Sequence, residues 1–270
     1  MAQQEPQASR PYETVLFEVK DNVASVTLNR PAAMNAFNRA MLDEFGDLWR
    51  RVRSDDDIHV VVLRAAGDRA FSTGLDVKEG LDLPDNPWSQ RDPGEDLSPK
   101  QNKVWKPVIA AVHGYCIGGG VDVISACDIR LASGDAIFSV RETKVAIVAD
   151  LGTLQRLPRI VSAGHVAELA FTGKDIDASR AAAIGLVNSV HGTGHEEVVT
   201  AAYELANEIA ANSPVAVRGT KAVLAANDGR TVNEGLDFVA RWNTMYLQSN
   251  DLREAMTAFI ERRAPNFNGD

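Results

Sequence analysis

Three short runs of almost uninterrupted apolar residues constrain the fold of this chain more than any other feature. They cover residues 59–64, 108–112 and 129–131, and the first contains four consecutive aliphatic residues. Strands that lack a polar face are typical of a parallel sheet covered on both sides. Because helical patterns separate these runs, the sequence predicts an α/β fold with a largely parallel sheet.

Periodicity extends this prediction to the rest of the chain. Alternating residues at 13–19 and 23–28 indicate a hairpin, and residues 38–53 place their large apolar side chains on one helical face. Further helices are expected at 163–171, 195–211, 215–227 and 233–260. The proline-rich stretch 82–99 is predicted to be a loop that acts as a lid or pocket wall. We therefore expect a disordered tail at 1–10, a core domain at 11–200 and a helical region at 201–270.

Charge and composition exclude several classes of partner. The 270 residues include 28 basic and 37 acidic ones, a net charge of −9, which opposes binding to nucleic acid or to anionic membranes. No apolar run reaches the roughly 18 residues of a membrane span, and residues 1–10 lack the apolar centre of a secretory signal. Residues 266–270 match no peroxisomal address. With only two cysteines, Cys116 and Cys127, a reducing compartment is indicated, and the expected location is the cytoplasm.

Two glycine-containing segments are candidates for binding an anionic oxygen. Gly118-Gly119-Gly120 lies between an apolar strand and a helical pattern, where unpaired backbone N–H groups are expected. Gly74 follows the strand predicted at 59–64 and could expose the N–H group of Leu75. Two N–H groups that converge from two strand ends would form an oxyanion hole, although each segment is also compatible with a simple tight turn.

Three carboxylates follow the glycines at close intervals: Asp122, Glu142 and Asp150. Each has a structural explanation, respectively a helix-dipole interaction, a solvated ion pair and a helix cap. Their apolar neighbours favour a functional role, because a buried carboxylate is costly unless it is paired or used. The five histidines have no metal-ligand spacing, and no metal site is expected.

Together these segments resemble the enoyl-CoA hydratase/isomerase (crotonase) superfamily. The resemblance covers nearly the whole chain and is carried by residues 28–31, 35–37, 71–76, 107–130, 157–159 and 258–259. It implies a crotonase-like spiral of ββα units with a helical C-terminal trimerisation region, and a homotrimer or hexamer. It also implies an acyl-CoA thioester as substrate, with no separate cofactor.

The resemblance assigns roles to individual residues. It implies that the N–H groups of Leu75 and Gly119 hold the thioester oxygen. It further implies substrate contacts at Gly74, Asp76, Val77, Lys78 and Gly120.

Within the superfamily, the three acids look most like those of Δ3,5-Δ2,4-dienoyl-CoA isomerases, which act in fatty-acid β-oxidation. The resemblance implies that Asp150 removes a proton from C2, that Glu142 protonates C6 and that Asp122 orients its neighbours. A second hypothesis is an enoyl-CoA hydratase in which Asp122 and Glu142 share a water. A third is a crotonase-like binding module, including an RNA-binding one, which the net charge and the three acids oppose. The loop at 78–103 matches no branch clearly, so the acyl-chain length stays open.

Overall fold

The protein is described by a computed structural model that covers residues 12–79 and 93–270. The disordered tail expected at 1–10 lies outside the described residues, as does most of the loop expected at 82–99. The described part contains the strands β1 (Val15–Lys20), β2 (Val23–Leu28), β3 (Val60–Ala65), β4 (Ala70–Ser72), β5 (Val108–Val112), β6 (Tyr115–Ile117), β7 (Ile129–Ala132), β8 (Ile137–Ser139), β9 (Ile176–Asp177) and β10 (Ser189–Val190).

The helices of the same ranges alternate with these strands and then dominate the C-terminal third. They are α1 (Arg39–Ser54), α2 (Pro93–Leu97), α3 (Gly119–Ser125), α4 (Thr153–Arg156), α5 (Ala163–Thr172), α6 (Ala178–Ala183), α7 (His195–Ala210), α8 (Pro214–Ala226), α9 (Val232–Tyr246) and α10 (Asn250–Glu261). The predicted hairpin, the apolar strands and the helix after the glycines are all confirmed.

Two sheets form the core, and successive strands from β3 to β8 alternate between them. The larger sheet has the order β1-β2-β3-β5-β7-β10, and the smaller one has the order β4-β6-β8-β9. Each of the pairs β3–β4, β5–β6 and β7–β8 gives one strand to each sheet, and equivalent strands pair in parallel. This repeated step produces the predicted spiral, and only β1–β2 and β8–β9 are antiparallel within the described ranges.

Both faces of the larger sheet are covered, as its uninterrupted apolar strands predict. Val61 and Leu63 of β3 join the cluster that contains the buried face of α1, including Phe45 and Trp49. Val60 and Val62 lie in a second cluster with α7. The sheet is therefore a rigid base for the loops at the ends of its strands.

Three boundaries differ from the prediction. Residue 200 falls inside α7, whose apolar face packs on the sheet, so the separate helical region begins at Pro214. The helix expected at 233–260 is two helices, because Ser249 accepts a hydrogen bond from the Leu252 N–H and starts α10. Within the stretch expected to be a loop, Pro93–Leu97 is a short helix.

Candidate active site

The ends of two neighbouring strands bring together the segments predicted to form an oxyanion hole. β4 and β6 are parallel neighbours, and Leu75 and Gly119 follow their carboxyl ends. Leu75 is aligned with Phe37 in an isolated bridge, and Gly119 is the first residue of α3. Within the described chain neither the Leu75 N–H nor the Gly119 N–H donates to another group. Both donors are therefore available to a ligand.

The two donor segments contact each other through backbone atoms. Gly74 has φ +85°, and a Cβ added to it would lie 2.8 Å from the Gly119 nitrogen. Its carbonyl accepts from the Phe37 N–H at 2.8 Å, which fixes the orientation of the following peptide. A side chain at residue 74 would need both an unfavourable backbone conformation and space that the Gly119 amide occupies. Glycine at this position is what allows the two N–H groups to converge.

Asp122 is a buried carboxylate on the first turn of α3. Its Oδ1 accepts the Thr153 N–H at 2.6 Å, so it caps α4 from another element. Burial raises the pKa of Asp122, and the charge of Asp150 raises it further, while the Thr153 hydrogen bond and Arg156 act in the opposite direction. The helix-cap role considered for Asp150 thus belongs to Asp122.

Glu142 begins a 3₁₀ turn, Glu142–Val145, after β8. Its Oε1 faces the glycine turn, since a Cβ added to Gly118 would lie 3.5 Å from it. Its Oε2 is buried and has no hydrogen-bond partner in the described chain. Burial raises the pKa of Glu142, and the charges of Asp122 and Asp150 raise it further. Glu142 is therefore suited to carry a proton beside the oxyanion hole.

Asp150 differs from the other two acids because its side chain is exposed. The apolar setting expected around all three acids is present around Asp122, where Val121 and Val123 are buried. It is absent near Asp150, since Ile147 and Val148 are 51% and 73% exposed. Asp150 still contributes to the raised pKa values of Asp122 and Glu142, which places the three acids in one electrostatic group. One carboxylate of this group is thus open to solvent and two are largely shielded.

The residues expected to contact substrate fall into two sets. Asp76 is buried, pairs with Arg30 at 2.9 Å and accepts the N–H groups of Lys78 and Glu79. Burial raises the pKa of Asp76, but these hydrogen bonds outweigh burial and hold it below its usual value. Asp76 therefore shapes the segment after Leu75.

The neighbours Val77 and Lys78 project into solvent beside the donor pair. Gly120, by contrast, is buried, and a Cβ there would lie 2.7 Å from the Ser72 carbonyl oxygen. Of the predicted substrate contacts, Val77 and Lys78 present side chains to a ligand, whereas Gly74 and Gly120 allow close backbone packing.

Thr153 and Arg156 are two site residues that sequence reasoning does not single out. Thr153 acts through its backbone N–H, which leaves no trace in side-chain chemistry. Arg156 donates to the carbonyl oxygens of Asp122 and Leu151 at 2.9 and 2.7 Å. The one available signal is that Arg156 is the single charged residue of the segment 151–158.

Other chemistries find no support in residues 12–79 and 93–270. No cluster of three or more His, Cys, Asp or Glu side chains could hold a metal ion there. None of the helices in these ranges is long and apolar enough to cross a membrane. Cys116 and Cys127 are free and buried, and burial raises the pKa of both thiols, which makes them poor nucleophiles.

Two proteins similar in sequence carry isomerase names. The chain is 43% identical to the mitochondrial Delta(3,5)-Delta(2,4)-dienoyl-CoA isomerase of Dictyostelium discoideum, over 95% of this chain and 92% of that protein. It is 39% identical to the peroxisomal enzyme of the same name from Arabidopsis thaliana, over 94% of this chain and 96% of that protein.

These names contradict the expectation of a purely cytoplasmic protein, because both relatives are assigned to organelles. That expectation used the lack of an apolar secretory signal, which concerns secretion, whereas mitochondrial transit peptides are amphipathic and not apolar throughout. It also used the C-terminal residues 266–270, a single type of address. Composition is therefore a poor guide to the compartment of this protein.

A solved structure and a family model also match this chain. The structure of an enoyl-CoA hydratase from Bacillus anthracis matches with a TM-score of 0.88 and 30% identity, over 96% of this chain and 100% of that one. The model of the family described as enoyl-CoA hydratase/isomerase matches residues 18–270. Because the family model covers most of the chain and both relatives are more than 30% identical to it, this chain belongs to the enoyl-CoA hydratase/isomerase family.

Proposed function

We propose that the protein converts 3,5-dienoyl-CoA to 2,4-dienoyl-CoA as an isomerase of fatty-acid β-oxidation. The observation that carries this proposal is that Asp122, Glu142 and Asp150 form one electrostatic group, with Glu142 next to the glycine turn that precedes the Gly119 N–H. A shift of two double bonds requires proton removal at one carbon and proton addition at another. Two acid–base groups in different environments meet that requirement.

The first step is removal of a C2 proton by the Asp150 carboxylate. The electrons of the broken C–H bond move into the conjugated system, and negative charge reaches the thioester oxygen. The N–H groups of Leu75 and Gly119 donate to that oxygen and stabilise the dienolate, at typically about 3–4 kcal/mol per donor. Exposure of Asp150 supports this role, because the base must reach substrate that enters from solvent.

The second step is protonation at C6 by Glu142. The dienolate electrons form the new C–H bond, and the double bonds settle at positions 2 and 4. Burial and the neighbouring negative charges raise the pKa of Glu142, which supports a protonated acid at the start of the cycle. The substrate loses one proton to Asp150 and gains one from Glu142, and proton exchange with solvent then returns Asp150 to the carboxylate and Glu142 to the acid.

The hydratase is the second candidate, because the enzyme from Bacillus anthracis shares the fold. A hydratase would use Asp122 and Glu142 to hold one water. Here Asp122 is buried and one of its oxygens already accepts the Thr153 N–H. That arrangement favours the isomerase, with Asp122 orienting its neighbours and keeping Glu142 protonated.

The proposal extends to the substrate and to assembly. Gly74, Gly120 and Asp76 would form the backbone cradle around the thioester, and Val77 and Lys78 would contact the CoA portion. We also propose a homotrimer or a hexamer made of two trimers. Apolar side chains exposed on α8 to α10 support this, among them Leu224, Leu236, Met256 and Phe259.

The experiment that tests the proposal is an absorbance assay on purified protein with a 3,5-dienoyl-CoA, beside one with a 2-enoyl-CoA. We expect a conjugated 2,4-dienoyl thioester to accumulate from the first substrate and little hydration of the second. Consumption of the 2-enoyl-CoA alone would instead assign Asp122 and Glu142 to a hydratase pair. The Glu142→Gln variant should lose the isomerase signal, whereas Glu168→Gln, at a half-buried residue of α5 that pairs with Lys174, should keep it.

A further inference from the structure

The guanidinium of Arg156 connects the two backbone segments that carry Asp122 and Asp150. Its Nη2 donates to the carbonyl oxygen of Asp122 at 2.9 Å and to that of Leu151, the residue after Asp150, at 2.7 Å. Its Nε donates to the Ser125 hydroxyl at 3.0 Å, and that hydroxyl donates to the Asp122 carbonyl oxygen at 2.7 Å. One side chain therefore ties the α3 segment to the loop that follows Asp150.

The loop is shaped to receive this side chain. Gly152 has φ +108°, and a Cβ added there would overlap the Arg156 guanidinium. The next residue, Thr153, donates its N–H to the Asp122 carboxylate at 2.6 Å. The backbone of residues 151–153 is thus attached to Asp122 in two ways. Arg156 connects the Leu151 and Asp122 carbonyl oxygens, and the Thr153 N–H donates to the Asp122 carboxylate.

The same side chain places a positive charge beside the acids. Burial lowers the pKa of Arg156, while the charge of Asp122 raises it. In return, the Arg156 charge lowers the pKa of Asp122, against the larger effect of burial. An acid held this way stays ionised over a wider pH range than burial alone would allow.

We propose that Arg156 is a positioning residue for the isomerase reaction, which holds the Asp122 and Asp150 segments at a fixed separation and orientation. This inference rests on the proposed function and deepens it. Arg156 acts through backbone carbonyls and the Ser125 hydroxyl, so it sets the geometry of the acids without contact with the reacting carbons. A small displacement of a catalytic acid lowers turnover far more than it lowers substrate binding.

The test compares the Arg156→Met and Arg156→Lys variants of the full chain with the unmodified protein, using a 3,5-dienoyl-CoA across a range of pH. For Arg156→Met we expect kcat to fall about 10-fold or more, with KM changed by less than about 2-fold. The acidic limb of the kcat/KM profile should move to higher pH, because Asp122, whose negative charge keeps Glu142 protonated, loses its positive neighbour and takes up a proton more readily. Arg156→Lys should recover part of kcat and of the shift, since an ammonium group keeps the charge and donates to carbonyls.

Arg159→Met is the matched control. Arg159 lies one turn further on, and its guanidinium is 63% exposed and pairs with Asp228. We expect kcat and the pH profile of this variant to match those of the unmodified protein.

Two outcomes would overturn the inference. One is a kcat for Arg156→Met within about 2-fold of the unmodified value; the other is a lower kcat with no shift of the acidic limb and no recovery in Arg156→Lys. If Arg156→Met does not fold, Ser125→Ala decides: about 3-fold loss of kcat at constant KM supports the inference, and an unchanged kcat overturns it. An unmodified protein that does not isomerise the substrate contradicts the proposed function itself, a result distinct from all of these.

Discussion

Gly74 and Gly119 contact each other directly through their backbones: a Cβ placed on Gly119 would lie 3.1 Å from the Gly74 Cα. This contact joins the segment after β4 to the first turn of α3, at the carboxyl ends of two parallel strands. Because of it, the Leu75 and Gly119 N–H groups can reach one ligand atom. The proposed oxyanion hole therefore depends on the small sheet and on two glycines, and both of its proposed donors are backbone N–H groups.

Gly74→Ala should separate these donors. The new methyl group meets the Gly119 nitrogen, and φ at +85° is strained for alanine. We expect kcat to fall about 100-fold or more, the usual effect of losing one donor of an oxyanion hole. Steady-state kinetics with a 3,5-dienoyl-CoA, together with a thermal unfolding curve, measures both activity and folding.

Gly164→Ala is the control for this change. Gly164 lies in α5, and a Cβ there has no heavy atom within 4 Å. The variant should keep its activity and gain about 0.5 kcal/mol of stability. Equal kcat values for Gly74→Ala and the unmodified protein would contradict the proposed oxyanion hole.

Glu142→Gln should stabilise the protein at neutral pH while it abolishes turnover. Burial raises the pKa of Glu142, so the folded protein keeps a proton that the unfolded chain loses above the ordinary glutamate pKa of 4.5. The stability that this proton supplies is complete below that pH and is lost as the pH rises through the raised pKa. Glutamine does not titrate, so we expect a gain of about 1 kcal/mol at about pH 8 that shrinks toward pH 5, measured by urea denaturation.

Glu254→Gln is the matched control, for which we expect a change in stability of the opposite sign. A hydrogen bond from Arg263 holds the pKa of Glu254 at about 2, so its contribution is present above 4.5 and is lost as the pH falls toward 2. This variant should be less stable than the unmodified protein at about pH 8 and should isomerise normally. If Glu142→Gln also loses stability at about pH 8, burial of the ionised Glu142 carboxylate does not destabilise the folded protein in the way that we infer.

Lys78→Glu should weaken binding of the CoA portion. Lys78 is exposed three residues after Leu75, and CoA carries phosphate groups that a lysine can attract. We expect KM to rise several-fold, more at low salt, with kcat unchanged, because this contact is the same in ground and transition states. Lys20→Glu, on the hairpin at the end of β1, carries the same charge change and should leave KM unaltered. A similar rise in KM for both variants would show a general effect of net charge.

Sequence patterns predict the large sheet well and the small one poorly. β3 begins with four consecutive aliphatic residues and β5 is apolar throughout, and both lie in the larger sheet. β4 and β6 have three residues each, too few for periodicity to distinguish a strand from a turn. The pairing of β4 with β6 depends on how the neighbouring, longer strands are aligned, and the residues of β4 and β6 themselves do not reveal that alignment. Strand patterns therefore do not predict that the Leu75 and Gly119 N–H groups lie close together. That expectation rests on the order of the two segments along the chain and on the family resemblance.

The same limit applies to the acids. Asp122 on the first turn of α3 could be predicted from the helical pattern after the glycines. Its bond to the Thr153 N–H could not, because that bond joins residues 31 apart through a backbone atom. The exposure of Asp150 was also not foreseen, since neighbouring apolar residues such as Ile147 and Val148 suggested burial and yet face solvent. Apolar sequence neighbours indicate burial only where a regular element fixes their direction.

The apolar side chains of the C-terminal helices predict self-association. Phe259 and Ile260 are 84% and 79% exposed on α10, and exposed apolar clusters of this kind mark interfaces. Size-exclusion chromatography with light scattering should give the mass of three or six chains. Replacing both residues by aspartate should shift the mass downward, and a monomeric unmodified protein would contradict the proposed assembly.

The central claim is that Asp150 takes the C2 proton of a 3,5-dienoyl-CoA. Its most direct test is exchange of the C2 proton with deuterated water, followed by mass spectrometry or NMR, in the unmodified protein and in Asp150→Asn. We predict that the unmodified protein exchanges the C2 proton and forms the 2,4-dienoyl thioester. Asp150→Asn should do neither, although it still binds the substrate. Exchange at C2 that persists in Asp150→Asn would show that another group is the base and would contradict the account.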